Sequence, residues 1–296
     1  MIEVRYYFQF LIKKTWKPVI PIFTGTLLAV FLIGSLNVFP DGNLHLKFYD
    51  VGQGDSLFIK TPKGSTVLID GGPDDQVMKS LSWDLGFFNR TIDVMILTHP
   101  HADHVTGLTA VLKRFNVRRI IFDSPGESLT FKAFISEVER QKKAGAEVYS
   151  VKSGDRIRLG ETSLDILWPK VTESSTSANP NNLSIVSLLK FRDFEALLTG
   201  DQEVAEAEKM LYSVAVPNIE VLKVAHHGSK NGLSAKILSA LRPEVAIISV
   251  GKNNRYGHPS PQTLKLIADF GSKLLRTDLN GTVEVITDGT KVWLKN

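Results

Sequence analysis

The stretch Thr98-His99-Pro100-His101-Ala102-Asp103-His104 brings three imidazoles and a carboxylate into six residues, directly after the apolar run Ile92–Leu97. Neutral imidazole and carboxylate together are the ligand set of a divalent transition metal. In extended chain His99 and His101 point the same way because side chains alternate. Asp103 and His104 follow at a turn and can reach a second ion. The plain alternative is a hydrogen-bonded histidine cluster at a strand end. Several ligand-type side chains supplied at once favour metal.

Six of the seven histidines fall in three clusters, each just past an apolar run: His99, His101 and His104; His226 and His227; and His258. Asp70 and Asp201 occupy comparable positions. In a layered sheet, strand ends of this kind collect on one edge, where ligands bind. His45 lies inside the first strand and reads as structural.

The elements that must position these groups follow from periodicity. Leu44–Val51 is a strand, followed by Gly52-Gln53-Gly54-Asp55-Ser56. Leu57–Lys60 and Thr66–Ile69 form a hairpin ending at Asp70-Gly71-Gly72. Helices are expected over 76–88, 105–115 and 128–143, and short strands over 118–122, 147–151, 155–159 and 163–168. A polar Ser/Thr/Asn/Pro loop covers 171–182. A second hairpin, 183–191 with 194–198, ends at Thr199-Gly200-Asp201. The run 219–224 then delivers Ala225-His226-His227-Gly228-Ser229. No linker divides 44–296, so strands interleaved with helices predict one layered α/β domain.

At 296 residues, 43% hydrophobic and 22% charged, the chain has ample material for a core. A net charge of +4 is too small to imply a nucleic-acid or membrane partner by itself. There is no cysteine, which excludes disulfides, thiolate ligands and thiol nucleophiles. The first forty residues differ in kind. Residues 18–40 carry no charged side chain and are long enough to cross a ~30 Å hydrocarbon core as a helix. Arg5, Lys13, Lys14 and Lys17 precede them, which predicts a cytoplasmic tail over 1–17 and a single-pass signal anchor over 18–40. The domain 44–296 is then extracellular. A cleaved signal peptide and a buried core helix are the alternatives; the length of the run and its charge asymmetry favour the anchor.

The segments Asp50–Ser56, Leu68–Gly72, His99-x-His101-x-Asp103-His104, Leu198–Asp201 and His226–Ser229 resemble those of metallo-β-lactamase-fold hydrolases. Within that family the chain is most similar to the external hydrolase domain of ComEC-type competence (DNA-uptake) proteins. Arg255–Pro261 and Asn182-x-Ser184 fit that branch. The resemblance spans 44–296 and implies an αββα sandwich with two divalent metal ions, Zn or Mn, at the edge between its sheets. It implies that His99 and His101 hold the first metal, Asp103 and His104 the second, with Asp201 bridging. One of His226 and His227 completes a shell. His258 is either a further ligand or a proton donor to the leaving group, so Asp103 and His258 are the candidates for direct catalysis. Asp70 orients the histidine loop, with Asp55 beside it; a turn-capping aspartate is the plain reading of Asp70. Asn182, Ser184, Ser229, Lys230, Arg255 and Tyr256 are candidates for substrate binding. Residues 105–200 contain no histidine. The broad family usually places one more ligand there, which argues against a lactamase or glyoxalase and leaves the first metal one ligand short.

The implied function is a membrane-anchored, externally facing dinuclear-metal hydrolase, a phosphodiesterase or nuclease acting on DNA through a metal-bridging hydroxide. Two other readings compete: a hydrolase of cell-envelope phosphoesters of the phosphorylcholine type, and a non-catalytic DNA-binding module. A separate DNA-uptake channel is a candidate partner; transport itself is not implied.

Overall fold

The computed structural model describes residues 40–86, 89–170 and 179–296, together with Gly25. By compactness the chain divides into a unit of 1–39 with 82–89 and a unit of 40–81 with 90–296. The expected anchor over 18–40 lies outside the described residues apart from Gly25 and Pro40, as does the tail over 1–17. Among the described residues no helix is long and apolar enough to cross a membrane.

In chain order the elements are β1 (Leu44–Phe48), β2 (Leu57–Lys60), β3 (Thr66–Ile69), α1 (Val77–Leu85), β4 (Thr91–Ile96), α2 (Ala102–Arg114), β5 (Asn116–Ile121), α3 (Leu129–Lys143) and β6 (Glu147–Tyr149). They continue with β7 (Arg156–Leu159), β8 (Thr162–Trp168), β9 (Val186–Phe191), β10 (Phe194–Leu198), α4 (Val204–Ser213), β11 (Val221–Lys223) and α5 (Ala235–Leu241). The chain closes with β12 (Val245–Ile248), α6 (Pro261–Phe270), β13 (Lys273–Arg276), α7 (Thr277–Asn280), β14 (Val283–Thr287) and β15 (Val292–Lys295). α1 ends before the expected residue 88 because Gly86 takes a left-handed φ of 78° and turns the chain. Asp103 and His104 stand in the first turn of α2 rather than at a turn before it.

An eight-stranded sheet runs β15-β14-β1-β2-β3-β4-β5-β6, and a seven-stranded sheet runs β13-β12-β11-β10-β9-β8-β7. Alternating apolar side chains of both sheets meet in one core, with Phe48, Ile69, Val94 and Ile96 from the first and Leu164, Phe191, Ala196 and Ile247 from the second. A second apolar layer joins the other face of the seven-stranded sheet to α4, α5 and α6 through Leu197, Leu222, Met210, Ile237, Leu241 and Ile267. Ser128, Ser234 and Ser260 cap α3, α5 and α6 by accepting the amides of Phe131, Ile237 and Thr263.

The direction of the strands makes the site. β3, β4, β5 and β6 are parallel neighbours, and so are β10, β11, β12 and β13. Parallel strands release their following loops at one end. Asp70 after β3, His99 after β4, Asp201 after β10 and His226-His227 after β11 therefore leave their sheets at carboxyl ends. α2 is pressed onto the end of β3 by two glycines. A Cβ on Gly107 would lie 1.8 Å from the Gly71 carbonyl oxygen, and one on Gly71 would lie 2.3 Å from the Leu108 nitrogen. The two backbones bond directly, with Gly71 N donating to His104 O at 2.8 Å and Gly107 N to Gly72 O at 3.1 Å.

His45 on β1 bears out its structural reading. Its Nδ1 meets Glu284 Oε1 of β14 at 2.8 Å and its Nε2 meets Asp41 at 3.1 Å, while Lys47 and Lys295 approach Glu284 at 3.3 and 3.9 Å. Burial works against its charge, yet Glu284 and Asp41 raise its pKa above the ordinary imidazole value. A raised pKa in the fold means stabilisation that is complete below the unfolded value and lost as pH rises through the folded one.

Two measurements check this layout. Gly107→Ala should destabilise the domain by about 1–3 kcal/mol in denaturant titration, because the added methyl must displace the Gly71 backbone. His45→Gln should lower the melting temperature below pH 6.5, and the difference from wild type should shrink as pH rises past the raised His45 pKa. A difference that grows with pH would contradict the ion-pair account.

Candidate metal centre

Asp70 is the first part of the site to be built. It takes a left-handed φ of 57°, an uncommon backbone for a residue with a side chain, at the point where β3 stops. That turn drives a fully buried carboxylate under the histidine loop. Asp70 Oδ1 accepts the Thr98 amide at 2.8 Å, and Oδ2 accepts the Thr98 hydroxyl at 2.7 Å and His104 Nδ1 at 2.8 Å. Burial pushes its carboxyl up, against the pull of His104.

These bonds assign the ring protons. With Nδ1–H of His104 given to Asp70, its Nε2 is the nitrogen left to take a proton or a metal. The Thr98 hydroxyl spends its proton on Asp70 and so accepts from His99 Nδ1 at 3.1 Å, which leaves His99 Nε2 bare. His227 Nδ1 donates to the Ser249 carbonyl at 3.0 Å, which turns its Nε2 to the Asp103 carboxylate at 3.2 Å. Three imidazoles are thus oriented by their rear nitrogens, with the front nitrogens turned toward the carboxylates.

The front nitrogens converge. His104 Nε2 lies 3.4 Å from Asp201 Oδ2 and 4.0 Å from Asp103 Oδ2. His227 Nε2 lies 3.2 Å from Asp103 Oδ2 and 3.5 Å from Asp201 Oδ2. His99 Nε2 lies 3.9 Å from Asp201 Oδ2 and 3.1 Å from His101 Nδ1. Asp103, His104, Asp201 and His227 each offer a ligand atom within 4.8 Å of the others, close enough for one ion. His99 adjoins the same Asp201 oxygen, and His101 stands against His99. The donor set fits a divalent metal, and one observation tests that fit: His104 Nε2 is buried and has no hydrogen-bond partner, although it faces two carboxylates.

The electrostatics favour a cation here. Burial opposes charge on His104, but the Asp201, Asp70 and Asp103 carboxylates hold its pKa well above the ordinary value. Burial likewise opposes charge on His227, which Asp201 and Asp55 nevertheless bring up to about 10. His99 goes the other way, pushed well down by burial and by His104, so it stays neutral and available as a ligand. Asp103 and Asp201 remain ionised in spite of burial, Asp103 held down chiefly by His104 and Asp201 chiefly by His227.

The other expected site residues sort by position. His227, not His226, reaches the cluster. The His226 ring stands beside it, 6.2 Å from the His227 ring and 5.7 Å from that of His258. His226 and His227 both hold left-handed φ angles, 51° and 53°, and this bend of two consecutive residues separates the directions of their rings. Asp55 lies behind the cluster with Asp70, 3.3 Å from His227 Nδ1. Three of the residues expected to bind substrate stand at turns. Ser184 is buried and its hydroxyl accepts the Asp201 amide at 3.1 Å. Ser229 is buried and accepts the Asn231 amide. Half-buried Asn182 gives its carbonyl to the Trp168 indole at 2.7 Å. Short polar side chains bond to nearby backbone at tight turns, which draws them inward. Lys230, Arg255 and Tyr256 are exposed, the Arg255 guanidinium lying over the Tyr256 ring at 5.1 Å.

Sequence reasoning passed over Lys223 on β11. It is 1% exposed, ion-paired with Asp55 and donates to the Gly200 carbonyl at 2.7 Å. A lone lysine in the apolar run before His226 is the signal, because a central parallel strand has no face in water.

Comparison with known proteins agrees with this geometry. Residues 49–252 match the Metallo-beta-lactamase superfamily. ComE operon protein 3 of Bacillus subtilis is 34% identical over 260 residues, 79% of this chain and 32% of that protein. Competence protein ComA of Neisseria gonorrhoeae is 26% identical over 87% of this chain and 34% of its own length. Ribonuclease Z of Aeropyrum pernix is 32% identical over 120 residues, 35% of this chain and 37% of that protein. The chain spans about a third of the length of these curated relatives. With the αββα sandwich and the histidine–aspartate cluster at its edge, the chain belongs to the metallo-β-lactamase superfamily and matches the hydrolase domain of ComEC-type competence proteins.

Proposed function

We propose that this chain is a dinuclear-metal phosphodiesterase that acts on DNA, held by residues 18–40 at the outer face of a membrane. The observation that carries the metal-dependent part is the buried His104 Nε2, without a hydrogen-bond partner and aimed between Asp103 and Asp201. The phosphodiester part is supported by the competence and ribonuclease names of its relatives. A separate uptake channel is the partner this reading implies.

His99 and His101 with Asp201 would hold one ion, and Asp103, His104 and His227 with Asp201 the other. Nitrogen and oxygen donors without thiolate suit zinc or manganese. Divalent cations held there would ionise water at neutral pH and offset the negative charge that builds at phosphorus. The chain's own residues do the rest. Asp70 and Ser249 hold the ring nitrogens that must not ligate, and Ser184 holds the Asp201 amide. His258, half-buried with its ring 5.7 Å from that of His226, is placed to pass a proton to a leaving alkoxide. Exposed Lys230, Lys252 and Arg255 attract phosphate oxygens toward this edge.

The test is hydrolysis of single-stranded DNA and of bis-p-nitrophenyl phosphate by the purified chain. Chelation should abolish turnover and added Mn²⁺ or Zn²⁺ should restore it. His101→Ala should lose more than the about 10–100-fold that removing an outer partner of a metal ligand costs. Wild-type rates in that variant, or choline-phosphate esters as the sole substrates, would refute the assignment. Protonated imidazole cannot ligate, so metal affinity, measured against a chromophoric chelator, should strengthen as pH rises toward the His227 value of about 10, with protons released on binding.

A further inference from the structure

His104 belongs to two groups of potential ligands. Its Nε2 faces the front group with Asp103, Asp201 and His227; its Nδ1 faces a rear group with Asp70 at 2.8 Å and Asp55 at 4.0 Å. The atoms of each group lie within 4.8 Å of one another, so either could satisfy a cation. The Lys223 ammonium already sits at the rear group, paired with Asp55 and fixed by the Gly200 carbonyl. It also divides Asp201 by charge: Oδ1 lies 3.7 Å from Lys223, while Oδ2 faces Nε2 of His104 and of His227.

We propose that Lys223 is a positioning residue of the metal centre, the built-in cation of its rear carboxylates, which commits His104 Nε2 and Asp201 Oδ2 to the front. The assignment rests on the metal-dependent reading above. A buried lysine is costly unless paired, and here the pairing has a site-specific consequence. Without the ammonium, Asp55 is a buried carboxylate left with only the rear nitrogens of His104 and His227, at 4.0 and 3.3 Å. It would then attract a divalent ion to the rear, or draw both rings away from the front.

The charge account differs from simple packing in what rescues the defect. Lys223→Met should weaken binding of Mn²⁺ and Zn²⁺ by at least about tenfold, read by competition with a chromophoric chelator on the full chain. Lys223→Met with Asp55→Asn removes both charges, so its affinity should return to within about threefold of wild type. A folded Lys223→Met variant with wild-type affinity overturns the proposal. So does a double variant as weak as the single one, because packing and not charge would then be at fault. If the single variant does not fold, the double variant decides alone by the same limits, and its failure to fold also counts against the proposal. Turnover of bis-p-nitrophenyl phosphate is followed in parallel. A wild-type chain that binds two ions without turnover refutes the phosphodiesterase reading and leaves the role of Lys223 intact.

Discussion

The Asp70 carboxylate is the contact on which the site depends. It joins three things that are separate in sequence: the end of β3, the Thr98 backbone at the end of β4, and the His104 ring at the start of α2. A buried carboxylate must have its lone pairs satisfied, and each bond that satisfies Asp70 also fixes part of the histidine loop. The tautomers of His99 and His104 follow from that one group. The Gly71–Gly107 backbone contact brings α2 close enough for this to occur.

Charge is the second constraint. Asp55, Asp70, Asp103 and Asp201 stand within one small volume, and three of them are almost fully buried while the Asp103 side chain is 32% exposed. Their mutual repulsion in a poorly solvated setting requires cations. At the rear Lys223 answers Asp55. At the front, the imidazoles of His104 and His227 carry raised proton affinity, and a proton or a metal can occupy that place. The same arrangement therefore accounts for the persistence of the buried acids and for the demand for divalent ions.

The sheets supply the convergence. Each contains a run of parallel strands, and their carboxyl ends share one edge, so β3 and β4 of one sheet and β10 and β11 of the other deliver ligands to the same point. The apolar interior between the sheets leaves little freedom in their spacing. Loops at the edge are then held by a rigid frame, which is how residues more than a hundred positions apart, such as Asp103 and His227, come to lie 3.2 Å apart.

The residue types of the ligands, their strand-end positions and the layered α/β class were legible in the sequence, because alternation of apolar residues and the spacing of His99, His101, Asp103 and His104 are local properties. The helix limits at Gly86 and the inward turn of Ser184 were not, since backbone conformation and packing decide them. The sequence also left His226 and His227 equivalent. Only the folded backbone separated them, by two consecutive left-handed residues and the Ser249 carbonyl that takes the proton of His227. The role of Lys223 shows the same division. Its charge in an apolar strand was visible along the chain, but its partner Asp55 comes from a distant loop, and only the meeting of the two sheets puts them together. Local pattern determines which groups are available and on which element they sit; long-range packing decides which nitrogen or oxygen faces which neighbour, because that depends on distances no sequence interval encodes.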